Sequence, residues 1–245
     1  MIDVLGPLDP EEVRAGLFSE FDTLLEVAEG LDEWEFGLPT GCVGWDVRDV
    51  LAHCYGTEAM LFGMDPPPAV EVVPGYVRNP LGEMNEPWVQ LFRQGPASVV
   101  VQSLREIFEK RAHQLETMSM DEYQAETRTP KGKGPYISFV ALRIFDLWMH
   151  EIDIRRAVGR PGSEGTLGAL WAYSEVGSAM GFVAGKRAGL LDGQSIEFVI
   201  EDAPDGAGGF RMESVDGRAT VVPRSGPADV DVFSDFVTFM GAVGG

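Results

Sequence analysis

Val13, Leu17, Phe21, Leu24, Leu25 and Ala28 recur at steps of three and four residues, a periodicity that predicts an amphipathic helix over residues 10–31. Glu11 and Glu12 suit its first turn, where negative charge complements the helix dipole. Residues 37–44, interrupted by Pro39 and by glycines, read as a loop, after which Asp46 is placed to cap a second helix with the stripe Val47, Val50, Leu51, Cys54 and Tyr55. His53 falls inside that helix. The proline-rich stretch 64–74 is a connection, and 79–94 and 96–118 read as a third helical stretch and a long helix. Residues 128–135, Arg-Thr-Pro-Lys-Gly-Lys-Gly-Pro, are predicted as a polar loop that cannot hold helix or central strand. Another helix is expected over 137–158, stopped by Gly159, Pro161 and Gly162.

After a helical stretch at 166–188 the texture changes. Residues 195–201, 210–215 and 219–222 alternate as strands do, and Asp216-Gly217 between the last two is a hairpin signal. Val232, Phe233, Phe236, Val237 and Met240 predict one closing helix over 229–242, packed on the sheet. The pattern gives an α+β chain of two domains: an all-helical domain over 1–162 and a small α+β domain over 163–245, with the helix at 166–188 able to join either.

Charge removes two partner classes. With 39 acidic against 19 basic side chains the net charge is -20, which repels both a nucleic-acid backbone and an anionic membrane surface. No apolar stretch runs long enough to span a bilayer, and the first dozen residues lack the basic and apolar segments of a signal peptide. Two cysteines, Cys42 and Cys54, are too few for a disulfide framework, so a cytoplasmic protein with reduced thiols is expected.

Of the three histidines, His150 lies four residues after Asp146, which puts both side chains on one helix face. A divalent ion of zinc type accepts imidazole and carboxylate ligands, and His53 is the donor available from a second helix. Three protein ligands leave a coordination position open to a substrate or thiol. Taken singly, each residue has a plainer reading, as a hydrogen-bonded core histidine or a surface Asp–His pair. His113, among charged neighbours, reads as a solvated histidine, Cys54 as a packed thiol and Cys42 as a loop cysteine with no basic neighbour in the sequence. Asp153 is expected to pair with Arg155 or Arg156, or else to back His150 from three residues along.

Two segments, Thr-Gly-Cys-Val-Gly-Trp-Asp-Val-Arg-Asp-Val-Leu-Ala-His at 40–53 and Arg-Ile-Phe-Asp-Leu-Trp-Met-His-Glu-Ile-Asp-Ile-Arg-Arg-Ala-Val-Gly-Arg-Pro-Gly at 143–162, resemble the mycothiol-dependent maleylpyruvate isomerase family. The resemblance implies a DinB-like four-helix metal-binding domain followed by a small sterol-carrier-like α/β domain. It implies zinc on His53, Asp146 and His150, mycothiol as the thiol cosubstrate, and Arg78 in the region that binds substrate. Asp146 stands where the family pattern favours Glu, and the closing residues 239–245 lack the family's Gly-Arg pair. The activity implied is an isomerase or S-transferase acting on a small electrophile. A non-catalytic metal-binding protein or scaffold is the alternative, and a zinc hydrolase with Glu151 or Asp153 as base a third.

Overall fold

In the computed structural model, which describes residues 8–204 and 207–244, helices are started and stopped by the residues the sequence singles out. Helix α1 (Pro10–Glu29) opens on Asp9, whose carboxylate accepts from the Glu11 and Glu12 amides, with Pro10 at the position where a missing N–H costs nothing. Helix α2 (Val47–Phe62) begins with a reciprocal capping box between Asp46 and Asp49 and ends on Gly63 in the left-handed conformation. Asn79 caps α3 (Pro80–Arg93). Helices α4 (Ser98–Thr117) and α5 (Met120–Gln124) follow, and α6 (Tyr136–Val158) stops at left-handed Gly159.

Helices α1, α2, α4 and α6 form a four-helix bundle in which α1 and α2 each pack against both α4 and α6. Its core is built from Leu17, Phe21, Leu51, Leu104, Phe108 and Ile144, with the Phe21 and Phe108 rings stacked at 3.9 Å. Helix α3 lies outside it against α2. The segment 1–7, on which most of the reading of the N-terminus rests, lies outside the described residues. No helix among the described residues is long and apolar enough to cross a membrane.

The predicted loop at 128–135 is instead part of a two-stranded antiparallel hairpin, β1 (Glu126–Thr129) and β2 (Gly132–Pro135). A hairpin has no central strand, so Pro130 sits in the turn and Pro135 at the strand end without interrupting a ladder. The Thr129 hydroxyl ties the turn, accepting from the Lys131 amide and donating to the Gly132 carbonyl.

Helix α7 (Leu167–Phe182), continued by a π-helical turn at Val183–Arg187, leads into the larger sheet. This sheet has the order β5-β4-β3-β6, where β3 is Ser195–Ile200, β4 Gly209–Val215, β5 Arg218–Val222 and β6 Val230–Ser234. Strands β4 and β5 join through Asp216 and Gly217, both at positive φ, as the hairpin signal requires. The single helix predicted over 229–242 is divided: β6 pairs parallel with β3, and helix α8 (Phe236–Gly244) begins after it. Asp235 marks the break by accepting the Thr238 amide at 2.8 Å, an N-cap that an uninterrupted helix could not use. The whole is α+β, a helical bundle followed by a small sheet-containing part.

Helix α7 belongs to both halves, Trp171 entering the bundle core and Tyr173, Val176 and Met180 entering the core beneath the sheet. Facing its first turn is Glu20 of α1, fully buried with neither carboxylate oxygen hydrogen-bonded among the described residues. Gly168 leaves the space that the Glu20 carboxyl fills. Burial, reinforced by the charge of Glu151 and opposed by Arg155, raises the Glu20 pKa to about 8. Below its ordinary value of 4.5 folded and unfolded chains both carry the proton; between 4.5 and about 8 only the folded chain keeps it, so this group lowers stability as pH rises through that window. Glu20→Gln is expected to flatten the fall in urea midpoint between pH 5 and 8 and to stabilise at pH 8 by on the order of a few kcal/mol. An unchanged slope would place the buried proton elsewhere.

Candidate metal centre

Asp146 and His150 stand one turn apart on α6, and the packing of α2 across it brings in His53. His53 Nε2 lies 3.4 Å from Asp146 Oδ2, and His150 Nε2 lies 3.8 Å from the same oxygen. The imidazoles meet edge to face with centroids 4.8 Å apart, and Trp45 lies 5.2 Å from the His53 ring. The three donor atoms fall within 4.8 Å of one another, His53 being buried and the other two half-buried.

A buried chain of charge supports the carboxylate. Glu58, on α2, accepts from Arg111 Nε of α4 at 2.9 Å and from Arg143 Nε of α6 at 2.8 Å, and the other end of Arg143 holds Asp146 Oδ2. Burial would raise the Asp146 pKa, but Arg143 and the two histidines hold it well below the usual carboxylate range. For His150 burial works against the charged form, yet Asp146, Asp153 and Cys42 raise its pKa well above the usual value. Burial dominates at His53 and lowers its pKa, so the deeper imidazole is the neutral one. Its Nδ1 has no hydrogen-bond partner among the described residues.

Two imidazole nitrogens and one carboxylate oxygen are a donor set suited to zinc or a similar divalent ion, with His150 giving up its proton on binding. Ligands bound at about 2.0–2.2 Å in a tetrahedron stand about 3.3–3.6 Å apart. The separations of 3.4 and 3.8 Å from Asp146 Oδ2 therefore fit such an ion with small side-chain adjustments.

Other side chains lie differently from their reading in the sequence. Asp153 faces His150 Nδ1 at 3.5 Å, while Arg155 pairs with Glu151. Glu151 is buried and engaged by Arg155 and Ser163, so it is not placed to act as a base at the histidines. Cys42, expected to lack basic neighbours, has its Sγ 3.4 Å from Asp153 Oδ2 and 3.9 Å from His150 Nδ1. That proximity joins residues 108 and 111 positions apart and leaves no local trace in the sequence. Cys54 is a fully buried thiol, its pKa pushed up to about 12 by burial, and His113 is exposed.

Cys42 and Trp45 also line a cavity of about 500 Å³ whose wall includes Arg48, Asp49 and Arg93. Arg93 donates to Asp49, to the Gly44 carbonyl and to the Tyr76 hydroxyl, whereas Arg48 donates to the Gly95 carbonyl and keeps a buried Nε without a partner among the described residues. Arg78 is exposed on the segment entering α3 and forms no ion pair among the described residues. Two residues earlier, the Tyr76 ring lies against Gly44 on the cavity wall.

Residues 17–155 match the family model described as the mycothiol maleylpyruvate isomerase N-terminal domain. Among solved structures, the mycothiol-dependent maleylpyruvate isomerase superimposes with a TM-score of 0.65 at 15% identity, covering 95% of this chain and 88% of that one. A histidine-to-alanine mutant of a mycothiol-dependent maleylpyruvate isomerase gives 0.62 at 14% identity over the same shares. YfiT from Bacillus subtilis gives 0.45 at 14% identity, covering 64% of this chain and 89% of that one. No curated protein sequence matches the chain.

Glu58→Gln is expected to lower stability by about 3–5 kcal/mol in urea unfolding, because it leaves two buried guanidiniums facing a neutral amide. A loss below about 1 kcal/mol would mean that the bundle does not depend on this charge chain.

Proposed function

The chain belongs to the mycothiol maleylpyruvate isomerase N-terminal domain family, and from that premise we propose that it is a zinc-dependent, mycothiol-using isomerase or S-transferase acting on a small electrophile. The observation that carries this reading is the convergence of His53 Nε2, His150 Nε2 and Asp146 Oδ2 from two helices within 4.8 Å. An ion held there supplies a charge and an open position that favour the deprotonated form of a thiol at neutral pH.

The residues divide the remaining work. His53 would contribute a neutral nitrogen, His150 a nitrogen freed when its proton is displaced on binding, and Asp146, kept ionised by Arg143 and the two histidines, the negative charge. Trp45, whose ring lies 5.2 Å from that of His53, and half-buried Cys42, 3.9 Å from His150 Nδ1, border both the centre and the cavity. Arg78, exposed on the segment entering α3, is the guanidinium that would grip a substrate carboxylate in two-pronged geometry. In an isomerisation the cosubstrate sulfur adds to the activated double bond, the resulting single bond rotates, and the C–S bond breaks to restore the double bond and free the thiol. In a transfer the adduct takes up a proton and leaves.

Purified protein is expected to carry about one zinc or similar ion per chain by elemental analysis, and His150→Ala to lose it. Full retention in that variant rejects the ligand set. With mycothiol and a panel of small electrophiles, thiol consumption or isomerisation should require the metal, and Arg78→Ala should raise KM for anionic electrophiles about 10-fold or more with kcat little changed. Metal-loaded protein that turns over none of them would be a binding protein instead.

A further inference from the structure

His150 presents a donor to two different sets of side chains. Its Nε2 faces Asp146 Oδ2 at 3.8 Å, and its Nδ1 faces Asp153 Oδ2 at 3.5 Å and Cys42 Sγ at 3.9 Å. The donor atoms of Cys42, His150 and Asp153 also lie within 4.8 Å of one another, so the molecule contains a sulfur-bearing triad that shares its imidazole with the His53–Asp146 pair. A neutral imidazole has one lone-pair nitrogen and one N–H, and it can serve only one of the two sets at a time.

We propose that Asp153 is a positioning residue that decides between them, committing the Nε2 lone pair of His150 to the His53–Asp146 set and holding the Cys42 sulfur out of coordination. The inference rests on the metal-centre reading above. Asp153 Oδ2 is the common neighbour of the His150 Nδ1 and of the Cys42 thiol, which donates to it at 3.4 Å. An acceptor there favours the tautomer with hydrogen on Nδ1, and the same oxygen engages the sulfur hydrogen. Among the described residues no arginine pairs with this carboxylate, and Arg155 turns to Glu151 instead. The approach is built into the loop: a Cβ on Gly41 would come within 3.1 Å of Asp153 Oδ1, and the Cys42 amide is tied to the Thr40 hydroxyl at 3.2 Å.

The test is a competition titration with Zn2+ on the metal-free chain and on Asp153→Ala, Asp153→Asn and His150→Ala, together with the absorption spectrum of the wild-type chain loaded with Co2+ alone. Asp153→Ala should weaken Zn2+ binding about 10- to 100-fold without moving the thermal midpoint of the metal-free protein. Asp153→Asn, whose amide oxygen still accepts from Nδ1–H, should recover most of the loss. The Co2+ spectrum should show no sulfur-to-cobalt charge-transfer band. Wild-type affinity in Asp153→Ala, or a charge-transfer band that Cys42→Ser abolishes, would overturn the proposal. Undiminished Zn2+ binding in His150→Ala would instead reject the underlying ligand assignment, so the two failures are distinguishable.

Discussion

Glu58 is a carboxylate with no access to water, held between two guanidiniums that are almost as deeply buried. Burial pushes its pKa up and the two arginines more than reverse this, so the bundle carries an ionised group at its centre. Such an arrangement contributes little net stability compared with apolar packing, yet losing one member leaves an uncompensated charge. Its geometric effect is register. Glu58 follows His53 by five residues on α2, and Arg143 precedes Asp146 by one turn on α6, so the ion pair that fixes Glu58 against Arg143 also fixes the histidine against the aspartate. A slide of either helix would break the charge chain and separate the donors together.

The helices were legible because their signals are local. The stripes of α1 and α2, the Asp46 cap and the Gly159 stop all lie within a few residues of what they control. The strand β6 was not legible as a strand, because its partner β3 lies some thirty residues earlier and Val232, Phe233, Phe236 and Val237 satisfy a helical spacing equally well. Asp235 carried the missing information, as a capping residue in the middle of an apolar run. The β1–β2 hairpin escaped because glycine, lysine and proline dominate it, residues that describe its turn and hide its short ladder.

The same division holds within the site. Asp146 and His150 were visible as a pair on one helix turn, and His53 followed as the histidine of an adjacent helix. The role of Cys42 was invisible, since the Thr40–Trp45 loop has no periodicity and its contact with Asp153 exists only once α6 is in place. Nothing local in the sequence marks Arg143 and Glu58 as buried, and only the packing of three helices places them inside.

Helix α6 has two buried sides. Ile144, Leu147 and Ile154 belong to the bundle, while Trp148 and Ile152 belong to the core beneath the sheet, where Trp148 meets Phe236 at 5.7 Å. His150 is thus carried on a wall common to two rooms. Were the sheet and α8 removed, an indole and an isoleucine would be laid open beside His150, an exposure that polar side chains at those two positions would relieve.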